Sequence, residues 1–432
     1  MGEKEERGQS GRPVGKSLWH HRNFLKLWAG QSLSEIGSGV TQLALPTTAI
    51  LLLGAGPFVV GLINTLPSAA FLLLGIFAGA AVDRFRRRPV LILSDILRMA
   101  ALAAVPLLYL IHRLGIWELL VATLVAGVGG VFFGVAYRTY LPSLVGPEGL
   151  LEGNAKLQTS SSAAQILGPS LAAVLIQALR PTLAILADAL SYAASITTLL
   201  WIRAPEPLPT PPGGERSKDR ATRLVKDIGE GFRAVVGQRI IRGTSIALAM
   251  TNGGWQMVWA VLLIFAYRSL HLAPGPVAGV FALTSVVSVM GALSASRLVL
   301  HLGAGPLMVL ALSMNALGKL LLPLAALGHP LLVFAAASML NAAFMPALHI
   351  TVQSLRQTLV PSRLLGRTNA TVQTMNQAGV MLGALAGGLI GSLLGPVPTI
   401  LIGGGVTLLG VICLFSGPSS LRSLPISEGI LE

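Results

Sequence analysis

The chain has 432 residues, of which 53% are hydrophobic and only 11% are Asp, Glu, Lys or Arg, and its formal net charge is +14. Soluble domains carry about 25% charged residues, so this composition excludes an ordinary soluble protein. The windows 36–82 and 368–421 contain no charged side chain, and each is long enough for two membrane-spanning helices of about 20 residues. The sequence therefore predicts a multi-pass membrane protein.

The sequence disfavours several classes of function. The basic residues lie in short clusters between apolar runs, not on one soluble face, which argues against nucleic acid as a partner. The single cysteine, Cys413, cannot form an intramolecular disulfide, and no spacing of His and Cys resembles a metal site. We expect no metal and no cofactor. The apolar run 24–53 is too long for the core of a signal peptide, so we interpret it as a retained first span.

Apolar segments separated by Pro, Gly or charged residues predict twelve membrane-spanning helices, six before a polar connection and six after it. The predicted spans are 24–53, 57–82, 89–111, 116–141, 154–179, 181–202, 240–267, 274–300, 305–327, 330–355, 364–394 and 397–415. The predicted fold is an all-α membrane protein with two pseudo-symmetric six-helix bundles. Its expected units are an N-terminal tail (1–23), a first bundle (24–202), a linker (203–239), a second bundle (240–415) and a C-terminal tail (416–432).

The positive charges orient these spans. If the N-terminus is cytoplasmic, 26 of the 31 Lys and Arg residues lie on the cytoplasmic side, and only Arg113, Arg180 and Arg268 lie on the other. Arg98 and Lys319 fall inside spans. The positive-inside rule therefore predicts that both termini are cytoplasmic and that the chain lies in the cell membrane.

The linker begins with closely spaced prolines from Pro205 to Pro212, which favour an extended chain. Beyond them, Leu224, Ile228, Phe232 and Val235 recur at helical spacing. This pattern predicts an amphipathic helix on the inner membrane surface, and a solvated helix in the loop is the alternative.

The two halves share a sequence pattern. Residues 154–159 (NAKLQT) match residues 369–374 (NATVQT), and the same register aligns Gly168 with Gly383 and Pro181 with Pro396. A parallel repeat of this kind is typical of transporters whose two helix bundles rock around a site near the middle of the membrane.

Residues 79–88 (GAAVDRFRRR) resemble the loop signature between spans 2 and 3 of the major facilitator superfamily. The resemblance implies a cytoplasmic gate in which the aspartate bonds to charges and to a helix N-terminus in the other half of an outward-facing transporter. The residues matching this gate are Gly79, Asp83, Arg84, Arg87 and Arg88. A simple positive anchor at the membrane surface is the alternative, but it explains neither the glycine nor the aspartate.

Two further patterns narrow the resemblance. Gly168-Pro169 in span 5 resembles an element of the antiporter branch of this superfamily, although tight helix packing would give the same residues. The segments 44–46 (ALP), 140–144 (YLPSL) and 154–155 (NA) are similar to bacterial exporters of the macrolide and enterobactin type. Many such relatives carry an aspartate near position 37 or 38, where this chain has Gly37 and Ser38.

Ionisable side chains inside a membrane are costly and need a reason. Glu35, Asp95 and Asp188 are the candidates for proton coupling, with Glu35 on a polar face of span 1. Asp95 and Arg98 are one helical turn apart, so a structural ion pair is also expected. Lys319 is expected to extend its amine to the outer membrane surface.

Polar and aromatic residues recur at helical spacing on spans 1, 4, 7, 10 and 11. The resemblance implies that spans 1, 4, 7 and 10 line the substrate cavity, and amides with aromatic rings suit a bulky amphiphilic solute. For any single amide, a hydrogen bond between helices is the alternative. The candidate cavity residues are Gln31, Ser38, Gln42, Phe133, Tyr137, Asn252, Gln256, Trp259, Asn341, Met345 and Asn376.

Together these patterns predict a secondary transporter that exports a hydrophobic or amphiphilic small molecule, such as a drug, secondary metabolite or siderophore, by proton antiport. A cation-coupled uptake carrier for a nutrient is the alternative. No nucleophile-base pair or phosphate-binding loop indicates an enzyme or an ATP-driven pump. Glycines at every fourth position from Gly379 to Gly395 predict close packing within the chain, and we expect a monomer surrounded by lipid.

Overall fold

The computed structural model describes residues 17–82, 84–204, 206 and 229–415, and nearly all of them are helical. Within these residues twelve long helices coincide with the predicted spans. They are α1 (Arg22–Leu51), α2 (Pro57–Val82), α3 (Arg87–Leu110), α4 (Ile116–Gly146), α5 (Glu148–Ala178), α6 (Pro181–Trp201), α7 (Arg239–Ser269), α8 (Pro274–Leu302), α9 (Ala304–Ala326), α10 (Pro330–Leu359), α11 (Ser362–Leu394) and α12 (Pro396–Phe415). The predicted all-α membrane fold is confirmed.

Local sequence explains where these helices begin and break. Proline stands at the first position of α2, α6, α8, α10 and α12, where its missing N–H costs nothing because that donor has no partner inside a helix. α4 runs into α5 through Gly146, whose φ of 70° kinks the chain and favours glycine. α10 is interrupted at Phe344, between Pro330–Ala343 and Met345–Leu359.

α1 differs from the other helices in polarity. Eleven helices of the described chain are long and apolar enough to cross a membrane, and α1 is not among them although it has 30 residues. Its polar residues, which include Gln31, Glu35 and Gln42, lower its hydropathy. α1 packs along α6 and along the α4–α5 pair, so protein contacts make up for the weaker attraction to lipid.

The repeated glycines bring the first and fifth helices of each half together. In the N-terminal half (α1–α6), a Cβ on Gly168 of α5 would come to 2.7 Å from Gly39 Cα of α1. In the C-terminal half (α7–α12), a Cβ on Gly383 of α11 would come to 2.1 Å from Gly253 O of α7. Side chains at either position would force the backbones apart. The repeat found in the sequence therefore corresponds to the same close helix contact in both halves.

The glycine series of α11 continues this contact. Gly379 faces Ala249 and Gly387 faces Met257, both on α7. The prediction that this series packs within the chain is confirmed for Gly379, Gly383 and Gly387, whereas Gly395 follows the end of α11 with a φ of 85° and open space around it.

The two halves meet at the end of the bundle that carries the α1–α2 and α7–α8 loops, which we call the distal end. There α2 packs on α11, where a Cβ on Gly61 would come to 2.8 Å from Gly388 Cα, and α5 packs on α8. One buried cluster joins Val60 and Ile63 of α2 to Leu262 of α7. The halves are thus sealed against each other at the distal end.

At the opposite end, which we call the terminal end because the chain enters α1 and leaves α12 there, the cores are separate. One cluster contains Phe24, Leu91 and Tyr140, all from the N-terminal half. Another contains Val235 and Val360, from the segment 229–237 and the C-terminal half. The structure is therefore joined at the distal end and divided at the terminal end.

The predicted amphipathic helix lies partly outside the described residues, because Leu224 and Ile228 are not described. In the described part, residues 229–237 are helical. Val235 is buried, whereas Phe232 is 56% exposed. Glu230 forms an ion pair with Arg367 of α11, so this segment is attached to the C-terminal half.

Candidate transport site

A buried polar network connects three helices of the N-terminal half. Asp95 and Arg98 of α3 form the expected pair, with 3.3 Å between Oδ1 and Nη1. The other carboxylate oxygen of Asp95 accepts a 2.7 Å hydrogen bond from Ser195 Oγ of α6. Arg98 Nη2 also donates to Ser38 Oγ of α1 at 3.5 Å, and Ser38 shares a 2.8 Å hydrogen bond with Tyr192 Oη of α6. Asp95 is fully buried, yet both of its oxygens are satisfied.

Aromatic rings surround the guanidinium of Arg98. Its Cζ lies 4.1 Å from the ring centroid of Tyr192 and 5.4 Å from that of Phe133 on α4. A Cβ on Gly129 of α4 would come to 2.7 Å from Arg98 Cγ, so the absence of a side chain there leaves room for the arginine. This partly exposed cation is therefore held by a carboxylate and by two ring faces.

Asp188 of α6 is buried in a different way. Its Oδ1 accepts a 3.1 Å hydrogen bond from Ser191 Oγ, but its buried Oδ2 has no donor at ordinary hydrogen-bond distance among the described residues. The hydroxyl of Thr41 on α1 lies beside this carboxyl, at more than ordinary hydrogen-bond distance. No ion pair among the described residues includes Asp188, which is 0% exposed. The side chain is thus an acid without a paired cation.

α1 approaches Asp188 at a glycine. A Cβ on Gly37 would come to 2.6 Å from Asp188 Oδ1 and 2.4 Å from Ser191 Oγ. This chain has no aspartate at position 37 or 38 of α1. The fold nevertheless places the carboxyl of Asp188 against that turn of α1. This turn of α1 therefore has an acid from α6 packed against it and contributes none itself at positions 37 and 38.

Glu35 lies on the part of α1 that is only half-buried. Its Oε1 accepts a 3.0 Å hydrogen bond from Gln31 Nε2, one helical turn away. It lies close enough to act electrostatically on Tyr137 of α4, whose ring stacks on Phe133 with centroids 5.7 Å apart. Glu35 thus presents a carboxylate beside an aromatic pair.

Four of the predicted cavity residues carry buried polar atoms that make no hydrogen bond with the part of the chain that the structure describes. These atoms are Gln31 Oε1, Tyr137 Oη, Trp259 Nε1 and Asn376 Oδ1. Buried polar groups normally have a partner, so such atoms on α1, α4, α7 and α11 are suited to bind a polar solute or water. Of the other candidates, Gln42 is exposed, Ser38, Asn252, Gln256 and Met345 are half-buried, and Phe133 and Asn341 are buried.

Asn341 belongs to a second buried network, in the C-terminal half. Asn315 Nδ2 of α9 donates to the backbone oxygen and to Oδ1 of Asn341 on α10, at 2.9 and 3.0 Å. Lys319 Nζ donates to Asn315 Oδ1 at 2.6 Å and to Thr407 Oγ1 of α12 at 2.8 Å. Asn341 therefore makes the hydrogen bond between helices that was the alternative to a cavity role.

The expectation that Lys319 reaches the membrane surface is wrong. Its side chain is 0% exposed, and its amine is satisfied by two neutral oxygens. The hydropathy of the segment suggested that the lysine side chain extends to the membrane surface, because hydropathy takes no account of polar partners on other helices. The i, i+4 spacing of Asn315 and Lys319 was the one signal in the sequence for this cluster.

The predicted gate lies at the terminal end, and its Asp83 is outside the described residues. Gly79 is half-buried, with open space where a Cβ would stand, and Arg84 is exposed. Arg87 and Arg88 begin α3, and Glu206, which sequence reasoning missed, accepts hydrogen bonds from both of their backbone N–H groups. A carboxylate in this position caps the helix and complements its dipole.

Gly168 and Pro169 of the antiporter-type motif lie within α5. Gly168 is buried against Gly39 of α1, and Pro169 is half-buried. The geometry shows the tight packing that was the alternative reading of this motif, between two helices of the same half.

Polar contacts across the halves support the distal seal. Arg268 Nη2, at the end of α7, donates to Ala55 O in the α1–α2 connection at 3.0 Å and to Ile50 O in the last turn of α1 at 3.4 Å. Thr47 Oγ1 and Tyr267 Oη share a 3.4 Å hydrogen bond. These bonds connect the C-terminal half to the N-terminal half.

Comparison with known proteins agrees with this architecture. The family model of the Major Facilitator Superfamily matches residues 27–253 and 244–429. The chain is 25% identical over 406 residues to the enterobactin exporter EntS of Citrobacter koseri, covering 91% of each chain. It is also 25% identical over 215 residues to macrolide efflux protein A of Streptococcus pyogenes, covering 48% of this chain and 50% of that one.

A bacterial homologue of the iron transporter ferroportin, solved in an inward-facing state, has the same fold with a TM-score of 0.72. It is 18% identical, and the match covers 93% of this chain and 99% of that one. The family model matches both halves, and the solved structure matches the fold over nearly the whole chain. The resemblance to the Major Facilitator Superfamily is thus confirmed. The chain belongs to the Major Facilitator Superfamily, and it is therefore a multi-pass membrane transporter rather than an enzyme.

Proposed function

We propose that this transporter exports a hydrophobic or amphiphilic small molecule from the cell in exchange for protons. Its relatives named as exporters of enterobactin and of macrolides support the export direction. The observation that carries the coupling mechanism is Asp188, an acid buried in the N-terminal half without a paired cation. The protein works as a monomer in lipid and needs no cofactor.

The side of the membrane to which the proposed solute site opens follows from the contact that closes the two halves at the distal end. If both termini are cytoplasmic, as the positive charges favour, the closed distal end faces outward and the divided terminal end faces the cytoplasm. The conformation is then inward-facing, ready to accept solute from the cytoplasm or the inner leaflet. Rocking of the halves would break the α2–α11 and α5–α8 contacts and open the distal end.

Asp188 is the proton carrier in this proposal. An ionised carboxylate with one unbonded oxygen and no cation is costly inside a protein, and binding a proton removes that charge. The charged groups that face it are Arg98 and Asp95 of α3. Because Asp95 already neutralises Arg98, protonation of Asp188 leaves the buried cluster without net charge.

Asp95 and Glu35 have different roles in this proposal. Asp95 holds Arg98 and Ser195 and so positions α3 against α6. Glu35 is partly exposed beside Tyr137 and Phe133, where it would meet the solute and any amine that the solute carries. The proton and the solute are thus linked through α1, which contributes both Glu35 and the Gly37 contact with Asp188.

The unpartnered polar atoms define the proposed solute site. Gln31, Tyr137, Trp259 and Asn376 offer donors and acceptors from both halves, so a solute contacting them would join the two bundles. The ring of Trp259 lies between two others, with its centroid 5.6 Å from that of Trp255 and 5.5 Å from that of Phe281. Such a mixture of apolar rings and few polar atoms suits an amphiphilic molecule.

The gate at Gly79, Asp83, Arg84, Arg87 and Arg88 completes the proposed cycle. Its acid would pair with the C-terminal half when the terminal end closes, and charge-assisted bonds of this type break when the helices move sideways. We expect Asp83→Asn to insert normally and to transport poorly.

A test begins with a growth screen of an efflux-deficient host for a toxic compound to which the chain confers resistance. Everted vesicles should then accumulate that compound when a pH gradient is imposed, and accumulation should collapse with an uncoupler. Asp188→Asn should abolish gradient-driven accumulation, whereas Glu118→Gln, an acid in the first turn of α4 at the distal end, should not. Accumulation that persists with the uncoupler would remove proton coupling, and uptake by intact cells would favour the nutrient carrier.

A further inference from the structure

A groove on the rim of the N-terminal half lies apart from the proposed solute site and from Asp188, and it shares only Arg88 with the predicted gate. It lies at the terminal end between the start of α3 and the end of α6, and its volume is about 790 Å³. Its wall is apolar, with Ile92, Leu93 and Ile96 from α3 and Leu200 from α6, and its mouth carries Arg86 and Arg88. The groove thus has an apolar wall and a basic mouth.

The groove faces the surrounding membrane. Leu93 is 67% exposed and Leu200 is 55% exposed, and the helices packed against α3 are α4 and α6 of its own half. Ile96 lies about 10 Å from Pro89 along the axis of α3, at a rise of about 1.5 Å per residue. The wall therefore extends from the level of the lipid headgroups into the hydrocarbon region.

The charge at the mouth is positive. Arg86 is exposed and has no hydrogen bond or ion pair with the described residues. Arg88 Nε and Nη2 donate to the carbonyls of Leu199 and Leu200, which fixes its guanidinium at the groove. The acid at the mouth, Glu206, is occupied by the first backbone amides of α3, so the helix dipole compensates its charge.

We infer that this groove binds an anionic phospholipid, with its phosphate at Arg86 and Arg88 and an acyl chain along Ile92 and Ile96. The guanidinium fork of Arg86 matches phosphate oxygens, Arg88 adds positive charge beside it, and basic residues beside a membrane attract anionic headgroups. The acyl chain of a zwitterionic lipid fits the apolar wall equally well, but its neutral headgroup is attracted less strongly to the arginines at the mouth. Under the predicted orientation this lipid belongs to the cytoplasmic leaflet, and its binding does not depend on proton coupling.

The test uses the purified full-length chain in detergent and native mass spectrometry. Phosphatidylglycerol and phosphatidylcholine with identical acyl chains are added in equal amounts. The wild-type chain should retain more phosphatidylglycerol, and Arg86→Gln should lower that retention about fivefold, the effect of one basic residue near a lipid surface. Ile96→Trp, which fills the apolar wall, should lower the binding of both lipids.

Arg84→Gln is the matched control, because Arg84 is an exposed arginine of the same loop that does not line the groove. It should retain phosphatidylglycerol as the wild type does. Equal loss in Arg84→Gln and Arg86→Gln would show diffuse attraction and overturn the site, as would equal retention of the two lipids by the wild-type chain. Displacement of the lipid by excess inorganic phosphate would show a simple anion site and would also overturn the proposal.

Discussion

The distal seal depends in part on Arg268, and its removal should shift the balance between conformations. The guanidinium donates to two carbonyl oxygens of the other half, at 3.0 and 3.4 Å. A hydrogen bond from a charged donor contributes about 1.5 to 3 kcal/mol when buried. Because Arg268 is exposed and the longer bond is weak, we expect the contact to contribute about 1 kcal/mol. Arg268→Ala should therefore raise the population open at the distal end about fivefold relative to the sealed one.

Spin labels can measure this shift. Cys413 is the only cysteine, so a Cys413→Ser background allows labels at Ile111→Cys and Leu327→Cys, exposed positions on the distal loops of opposite halves. Arg268→Ala should increase the long-distance population in double electron–electron resonance. Arg180→Ala is the control, since Arg180 donates to Tyr109 Oη within one half. Equal distance distributions for the two variants would refute the role of Arg268 in the seal.

Three further predictions concern the stability of the purified protein. Gly168→Ala should cost about 1 to 3 kcal/mol through overpacking against α1 and lower the melting temperature, whereas Gly134→Ala, which has open space, should change it little; equal effects would contradict the packing role. Asn315→Leu should cost about 1 to 3 kcal/mol because it takes an acceptor from the buried amine of Lys319, and an unchanged melting temperature would refute that contact. Glu206→Ala should cost about 1 kcal/mol by uncapping α3, whereas Glu206→Gln, which keeps an acceptor, should cost less; thermal unfolding that ranks the two in the reverse order would contradict the capping role.

The sequence allowed the helices and their order to be predicted because membrane spans are set by local hydropathy and by proline and glycine punctuation. The pair Asp95 and Arg98 was also predictable, since it lies within one turn of a single helix. Asp188 was predicted as one of three candidates for proton coupling, but its lack of a paired cation was not predictable, because that depends on how α1 and α6 approach at Gly37. A contact between helices 150 residues apart leaves no periodic signal in one sequence.

Contacts between residues far apart in the chain also explain why the sequence did not predict the roles of Glu206, Arg268 and Lys319. Glu206 caps α3 across 119 residues of chain, and Arg268 binds carbonyl oxygens, which carry no sequence information. Lys319 was misplaced because hydropathy treats an intramembrane lysine as a single residue and ignores Thr407 of α12. The cavity candidates on α1, α4, α7 and α11 were predicted from periodicity, but only the fold shows which of their polar atoms have no partner.

In the proposed mechanism, solute and proton exchange through the buried acid of α6. The most direct measurement is proton release from the purified protein, followed with a pH-sensitive dye in weakly buffered detergent, when a solute found by the growth screen is added. The wild-type chain should release protons on binding the solute, and Asp188→Asn should bind it without release. Proton release from Asp188→Asn equal to that of the wild type would contradict the account.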